Sequence, residues 1–396
     1  MQGLNLLYAG TLPPHPGGSA VSGSQILIGL ARLGHAVRAL APIAGDARAA
    51  DDPFGAAHPG IPVTRFPVPY YETAPNTPSS DDYRRREAAG IRSNLDRLIR
   101  AGRPDVILVG RESFAPHVLH AARARAIPCV VRLAGSTTLG IVNGTYTGSS
   151  AERLLEQLRS ADLLITPAHH LADSVRALGL ERVRTIPNGI DLRRFAPRPG
   201  DERLRRALNI SPDDVVLVHA SNLKAIKRPL DIVRSAAVTL PRHPRLTYVI
   251  VGDGDCRKAM EEACRDAGFA QRFRFTGWID YAHMADYISL ADVVIMPSEF
   301  EAQARLYLET QACGRLLLAS DVPGAREVVV DGVTGLLFRT GDVEDLAAQT
   351  LRAAADPTLR ADIGRAARVS AEAHAIDAAV AAYETALRDV VRQRAI

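Results

Sequence analysis

The chain of 396 residues predicts two doubly wound α/β domains, each built on a parallel sheet. Short apolar runs of strand length alternate with amphipathic, helix-length stretches through both halves. Near the start, a strand, a Gly-rich turn, a helix and a second strand fit within about 40 residues, a βαβ unit that implies parallel pairing. The length exceeds what one core comfortably uses and suits two.

Composition narrows the function. Hydrophobic residues make up 47% and charged residues 23%, ordinary for a soluble globular protein. No apolar run reaches the roughly 18 residues that a membrane span needs. The start, MQGLNLLYAG, lacks a basic n-region and reads directly as a strand, so no signal peptide is expected. Cys129, Cys256, Cys264 and Cys313 form no C-x-x-C pair, and reduced thiols in a cytoplasmic protein are the expectation. A net charge of +4 favours anionic ligands, while 5% aromatics and the lack of a recognition motif argue against nucleic acid. Arg84, Arg85, Arg86, Arg92, Arg97, Arg100 and Arg103 crowd one stretch, in which Ile91, Leu95, Leu98 and Ile99 recur at helical spacing. A solvated amphipathic helix is the preferred reading, and a membrane-surface patch the lesser one.

Taken in order, residues 4–9 form the first strand, and a turn carrying Gly17 and Gly18 leads to a helix ending near Leu33. The turn lacks G-x-G-x-x-G and is no dinucleotide fingerprint; its Gly pair serves positive φ or close backbone approach. Strands follow at 35–42, 61–68 and 105–110, the last two separated by the basic helix. Arg111 and Glu112 then stand at a strand's carboxyl end, where α/β sheets bind ligands. After a helix at 114–126 and a strand at 127–135, the Gly-rich stretch 135–150, which includes Ser136, reads as a loop. Arg111, Glu112 and Ser136 are the candidate ligand-contacting residues of this half. His169 and His170 open a helix with no further ligand nearby, so a zinc site is not expected. The Asn-Gly turn at 188–189 and the Pro-rich residues after it end regular structure, placing the boundary near 195.

The second half repeats the alternation, with strands in VVLVHA, LTYVIVGDG, RFRFTG, DVVIMP and RLLLAS. Residues 320–338 read as a loop, and helices run to the end, the last at about 376–392. Between the last two strands lies PSEFEAQARLYLETQACG, residues 297–314. A helix is expected to open near Gln303, with the amides of Gln303, Ala304 and Arg305 aimed at an anion, since a helix's first N–H groups have no internal partner. Glu301 precedes that helix, and Glu309 lies about two turns in on the same side, at the right depth for sugar hydroxyls beside a phosphate. Two solvated glutamates on an ordinary helix would show the same spacing.

This stretch resembles the E-x7-E signature of retaining, family-4-type glycosyltransferases, which commonly read E-x-F-G-x-x-x-x-E-A-x-A-C-G. Gln303 stands for the usual Phe and Ala304 for the usual Gly, while Glu301, Glu309, Ala312, Cys313 and Gly314 match. The resemblance covers almost the whole chain in order. Gly17-Gly18 is similar to the loop that faces the donor, and Asn188-Gly189-Ile190-Asp191 with Phe195 and Pro197 to the interdomain hinge. The family's G-R-L-x-x-x-K-G is represented by Ser221-Asn222-Leu223-Lys224-Ala225-Ile226-Lys227, with Lys227 matching the Lys and Asn222 replacing the Arg. Lys224 is then placed to supply the missing charge. Gly252, Trp278 and Ile279 fall where relatives meet the donor, and Pro323-Gly324 to Gly335 resembles the family's G-G-x-x-E-x-x-x-D-G-x-x-G. Ala134-Gly135 replaces a usual His-Gly, so that histidine's role does not carry over.

The resemblance implies the GT-B fold: two facing Rossmann-like domains, 1–195 and 196–375, with an interdomain cleft, and a helix at 376–396 crossing back to the first. It implies transfer of a hexosyl group from a nucleoside-diphosphate sugar, UDP-sugar favoured, without a metal or other cofactor. Glu301, Lys227 and Lys224 are the candidate catalytic residues, stabilising the transferred sugar and the departing diphosphate. Gly17, Gly18, Asn222, Gly252, Trp278, Ile279, Gln303, Ala304, Arg305 and Glu309 are the donor-binding candidates, Glu309 through the ribose. The acceptor is expected to be small and hydroxylated, with a natural-product aminocyclitol or aminosugar in view. A nucleotide-sugar epimerase of the same fold would need catalytic groups in the first domain, where Glu112 is the clear candidate. A non-catalytic or membrane-surface protein would bind the sugar nucleotide without turnover.

Overall fold

The computed structural model describes residues 3–45, 52–69, 80–133 and 136–395. Two compact units emerge: Met1–Gly189 with Ile376–Ile396, and Ile190–Ala375.

In the first unit, the described strands are β1 (Asn5–Ala9), β2 (Ala36–Ala44), β3 (Val63–Val68), β4 (Val106–Val109), β5 (Cys129–Arg132), β6 (Leu163–Thr166) and β7 (Val183–Thr185). They pair in the order β3-β2-β1-β4-β5-β6-β7, with parallel register throughout. Runs such as VILV in β4 are buried at every position, because helices cover both faces of a parallel sheet. The last helix, Ile376–Ala395, belongs to this unit, where Val380, Tyr383 and Leu387 pack with Leu6, Tyr8 and Val106.

The second unit's described strands are β8 (Val215–Ala220), β9 (Leu246–Val251), β10 (Phe273–Gly277), β11 (Val293–Met296), β12 (Leu316–Ser320) and β13 (Leu336–Phe338). Their order, β10-β9-β8-β11-β12-β13, repeats that of the first sheet, again parallel. The order reverses between β8 and β11, so the chain leaves these neighbours in opposite directions. Beyond their carboxyl ends lies the topological switch point, the place where such sheets take ligands.

Three expectations need correction. Residues 190–195, read as the end of the first domain, belong to the second, since Ile190 and Phe195 are buried in its core and Ile190 N donates to His374 O at 2.8 Å. The stretch read as a loop from 135 contains the helix Ser136–Val142; its Ser-Thr-Thr opening suits a helix start, and Gly140 disguised the rest. The stretch 320–338 likewise holds the short helix Pro323–Arg326 and β13. Ala134-Gly135 lies outside the described residues.

Candidate functional site

The site grows from the loops that follow β8 and β11. After β8, the chain turns sharply at Leu223, φ 42°, and again at Arg228, φ 47°, left-handed conformations that side-chain-bearing residues seldom adopt. His219 anchors the first turn. Its Nδ1 lies 2.9 Å from the Ile295 carbonyl, which can only accept, so Nδ1 carries the proton. Nε2 then accepts from Ser221 Oγ at 2.8 Å, and Ser221 Oγ accepts from Leu223 N at 3.1 Å. Burial, with Lys227 adding to it, pulls the imidazole's pKa down to about 4, in keeping with this neutral form. Sequence reasoning missed His219, which lies inside an apolar strand run; a polar residue in a fully buried strand was the available signal.

Gly252 and Gly254, beyond β9, have φ 110° and 159°, and a Cβ at either would sit 1.9 Å from the Ser221 or Asn222 carbonyl oxygen. Both must be glycine for the β8 loop to pass so close. Asn222, on that loop, keeps its Oδ1 buried and without a hydrogen-bond partner. Buried polar atoms are rarely left so, and an amide oxygen held this way is ready to accept from a ligand. Lys224 is half-buried, and its side chain makes no ion pair among the described residues.

Lys227 closes the short turn Ala225–Lys227 and donates from Nζ to Oε1 of Glu301 at 2.6 Å. The two loops also join through Glu299 N, which donates to Ile226 O at 2.8 Å. Glu301 is 6% exposed and Glu309 3%, so neither is a solvated surface carboxylate. The turn at Pro323-Gly324 presses against Glu301, where a Cβ on Gly324 would lie 2.3 Å from the Glu301 carbonyl oxygen.

The helix carrying Glu309 spans Arg305–Ala312, with Ala304 as its N-cap. It opens two residues later than expected, so Gln303 and Ala304 precede it, both buried. No side chain caps it, which removed the usual start signal. Glu309 is therefore about one turn in, rather than two. Tyr281 Oη donates to Glu309 Oε1 at 2.7 Å, and Arg305 Nε lies 3.3 Å from the same oxygen. Arg305 Nη2 donates to Tyr281 Oη at 2.8 Å. Burial holds the Tyr281 phenol above its ordinary pKa, so it stays a donor. Trp278 is 41% exposed, and Ile279 packs partly buried against the core beside it.

In the first unit, Gly17 caps the helix Gly18–Arg32 with φ 105°. Arg111 Nη1 lies 3.5 Å from Glu87 Oε1 and 3.4 Å from Tyr83 Oη. Glu112 is buried and accepts from Thr138 Oγ1 at 2.9 Å. Ser136 is the first residue of its helix. Sequence reasoning missed Arg132, buried at the end of β5, which donates to Tyr383 Oη and Ser22 Oγ, each at 2.9 Å. Among the described residues no cluster of three or more His, Cys, Asp or Glu is placed to hold a metal ion.

Residues 17–189 match the family model described as a glycosyl transferase 4-like domain, and residues 200–370 that of glycosyl transferases group 1. The D-inositol 3-phosphate glycosyltransferase of Kribbella flavida is 34% identical over 220 residues, 52% of this chain and 51% of that protein. That of Nocardiopsis dassonvillei is 29% identical, covering 62% of this chain and 61% of its own. The chain thus spans about half the length of the first curated relatives it matches. Among solved structures, sucrose-phosphate synthase from Thermosynechococcus elongatus aligns with TM-score 0.81 at 20% identity, over 98% of this chain and 100% of that one. The Anabaena protein HepE, solved with UDP and glucose, aligns with TM-score 0.79 at 20% identity, over 97% and 99%. The fold is therefore GT-B.

Proposed function

The chain belongs to the glycosyltransferases, with a 4-like domain followed by a group 1 domain, and on that premise we propose that it moves a hexosyl group from a nucleoside-diphosphate sugar to a small hydroxylated acceptor. One observation carries the reading: Lys227 and Glu301 meet at 2.6 Å where the strand order reverses, with Glu309 one helix turn beyond.

When the glycosidic bond to the diphosphate breaks, negative charge grows on the departing oxygen. An ammonium has three donors, so Lys227 keeps two for phosphate oxygens after meeting Glu301. Lys224, which makes no ion pair among the described residues, adds a second charge from the same loop. The positive end of the helix Arg305–Ala312 favours the same anion. These groups act without a metal in this reading. Glu301 faces the transferred sugar, Glu309 takes the ribose, and Asn222 Oδ1 accepts from the donor. Transfer with retention is the stereochemical course proposed, following the family resemblance.

UDP is favoured because HepE was solved with UDP and with UDP-glucose. A cyclitol acceptor is favoured by the relatives named D-inositol 3-phosphate glycosyltransferases; an aminocyclitol falls within that class, whereas an aminosugar is a separate option. Glu112, the carboxylate an epimerase would use, is buried against Thr138. The test is a panel of UDP-, GDP- and dTDP-sugars, read by melting temperature and by nucleoside-diphosphate release with cyclitol acceptors. A ligand that binds the folded state raises the melting temperature by mass action. Stabilisation with acceptor-dependent release supports the reading; no release with any donor and acceptor counts against it.

A further inference from the structure

Glu309 is held by two side chains that the sequence motif does not include. Resting on the reading of Glu309 as the ribose acceptor, we propose that Tyr281 and Arg305 are positioning residues that turn one oxygen of the Glu309 carboxylate inward and leave the other for the ribose hydroxyls.

The terminal torsion of a glutamate is broad, so burial alone does not choose which oxygen faces a ligand. Here the choice is made by contact. Tyr281 Oη and Arg305 Nε both engage Oε1, at 2.7 and 3.3 Å. Oε2 has no hydrogen bond among the described residues, although Glu309 is only 3% exposed. A carboxylate offers about four acceptor positions, and a buried one seldom leaves an oxygen idle.

Tyr281 is itself fixed. Arg305 can only donate, so its Nη2 contact forces the phenol to accept there and to send its own proton to Glu309. The Arg194 guanidinium lies 4.5 Å from the Tyr281 ring centroid and also donates to the Tyr281 carbonyl oxygen. Phe195 packs on the ring with centroids 5.9 Å apart. Arg305 stands four residues before Glu309, on the same helix face. Burial alone would lower the Arg305 pKa, but Tyr281 and Glu309 outweigh it. The guanidinium therefore stays charged beside the carboxylate before any ligand arrives.

The test compares UDP with 2′-deoxy- and 3′-deoxy-UDP by calorimetry, because only the hydroxyl contact reports on the carboxylate's orientation. Tyr281→Phe keeps the ring and its stacking and deletes one hydroxyl; Arg305→Lys keeps the charge and loses the fork. The preference for the ribonucleotide over the better-discriminated deoxynucleotide should fall by at least about threefold in Tyr281→Phe, since hydrogen bonds to charged groups carry effects of that size. It should fall further in Glu309→Gln, and adding Tyr281→Phe to Glu309→Gln should change nothing more. Melting temperatures identify any variant that fails to fold, and Arg305→Lys then carries the comparison. An unchanged preference in Glu309→Gln overturns the ribose assignment itself. A preference lost in Glu309→Gln but intact in folded Tyr281→Phe overturns the positioning role alone.

Discussion

The Lys227 ammonium lies 2.6 Å from Oε1 of Glu301, tying together the loops that leave the adjacent parallel strands β8 and β11. The side chains are 21% and 7% exposed, so the pair is shielded on the carboxylate side and open on the lysine side. An ammonium in that position is oriented by its partner yet can still reach a ligand.

Lys227→Ala should weaken nucleoside-diphosphate binding roughly tenfold or more, since a charge-assisted contact to phosphate contributes about 1.5–3 kcal/mol. Lys224→Ala should have a smaller effect of the same sign. Because Lys227→Ala leaves a buried carboxylate unpaired, Lys227→Ala with Glu301→Gln should regain stability without regaining affinity. Calorimetry showing unchanged affinity in both lysine variants would contradict the placement.

The β8 loop should tolerate no side chain at Gly252, where a Cβ would meet Ser221 O at 1.9 Å and φ is 110°. Gly252→Ala should cost more than about 2 kcal/mol in denaturant unfolding, because clash and backbone strain add. A variant with wild-type midpoint and wild-type donor affinity would show that the loop does not need this close approach.

His219 adds a pH dependence. Its folded pKa, about 4, lies below the unfolded value of 6.5. The unfolded chain therefore binds more protons between these values, and stability is full above pH 6.5 and lost as pH falls toward 4. The loss attributable to His219 is about 3 kcal/mol at its limit. His35, His58, His117 and His374 also have lowered pKa values, so the comparison is with His219→Gln, whose unfolding free energy should fall less between pH 7 and pH 4.5. Equal falls in both proteins would remove His219 from the account.

Chelation should leave turnover unchanged, because lysines and a helix terminus meet the diphosphate charge in this reading. Activity lost to a chelator and restored by magnesium or manganese would require a metal in the step.

Much of this was legible from residues alone. Runs such as VILV and VVIM announced strands because both faces of a parallel sheet are buried. Lys227 and Glu301 were singled out because they lie in the loops after β8 and β11 and match the family motifs. What stayed hidden has physical causes. The helix at Arg305 has no side-chain cap to mark its start, Gly140 masked the helix Ser136–Val142, and β7 and β13 are only three residues long. The partnership of Tyr281 with Glu309 spans 28 positions and obeys no local period. His219 read as one more strand residue until its contacts to Ile295 and Ser221 appeared.

In the proposed reading Glu301 and Glu309 divide the donor, one facing the reacting sugar and the other the ribose. Turnover and nucleoside-diphosphate affinity in Glu301→Gln and Glu309→Gln test it most directly. An interaction made only in the transition state lowers turnover and catalytic efficiency together, whereas uniform binding changes mainly the Michaelis constant. Glu301→Gln should therefore lose turnover while binding the free diphosphate product normally, and Glu309→Gln should lose affinity for that product. Equal losses of product affinity in both variants, or none in either, would contradict the claim.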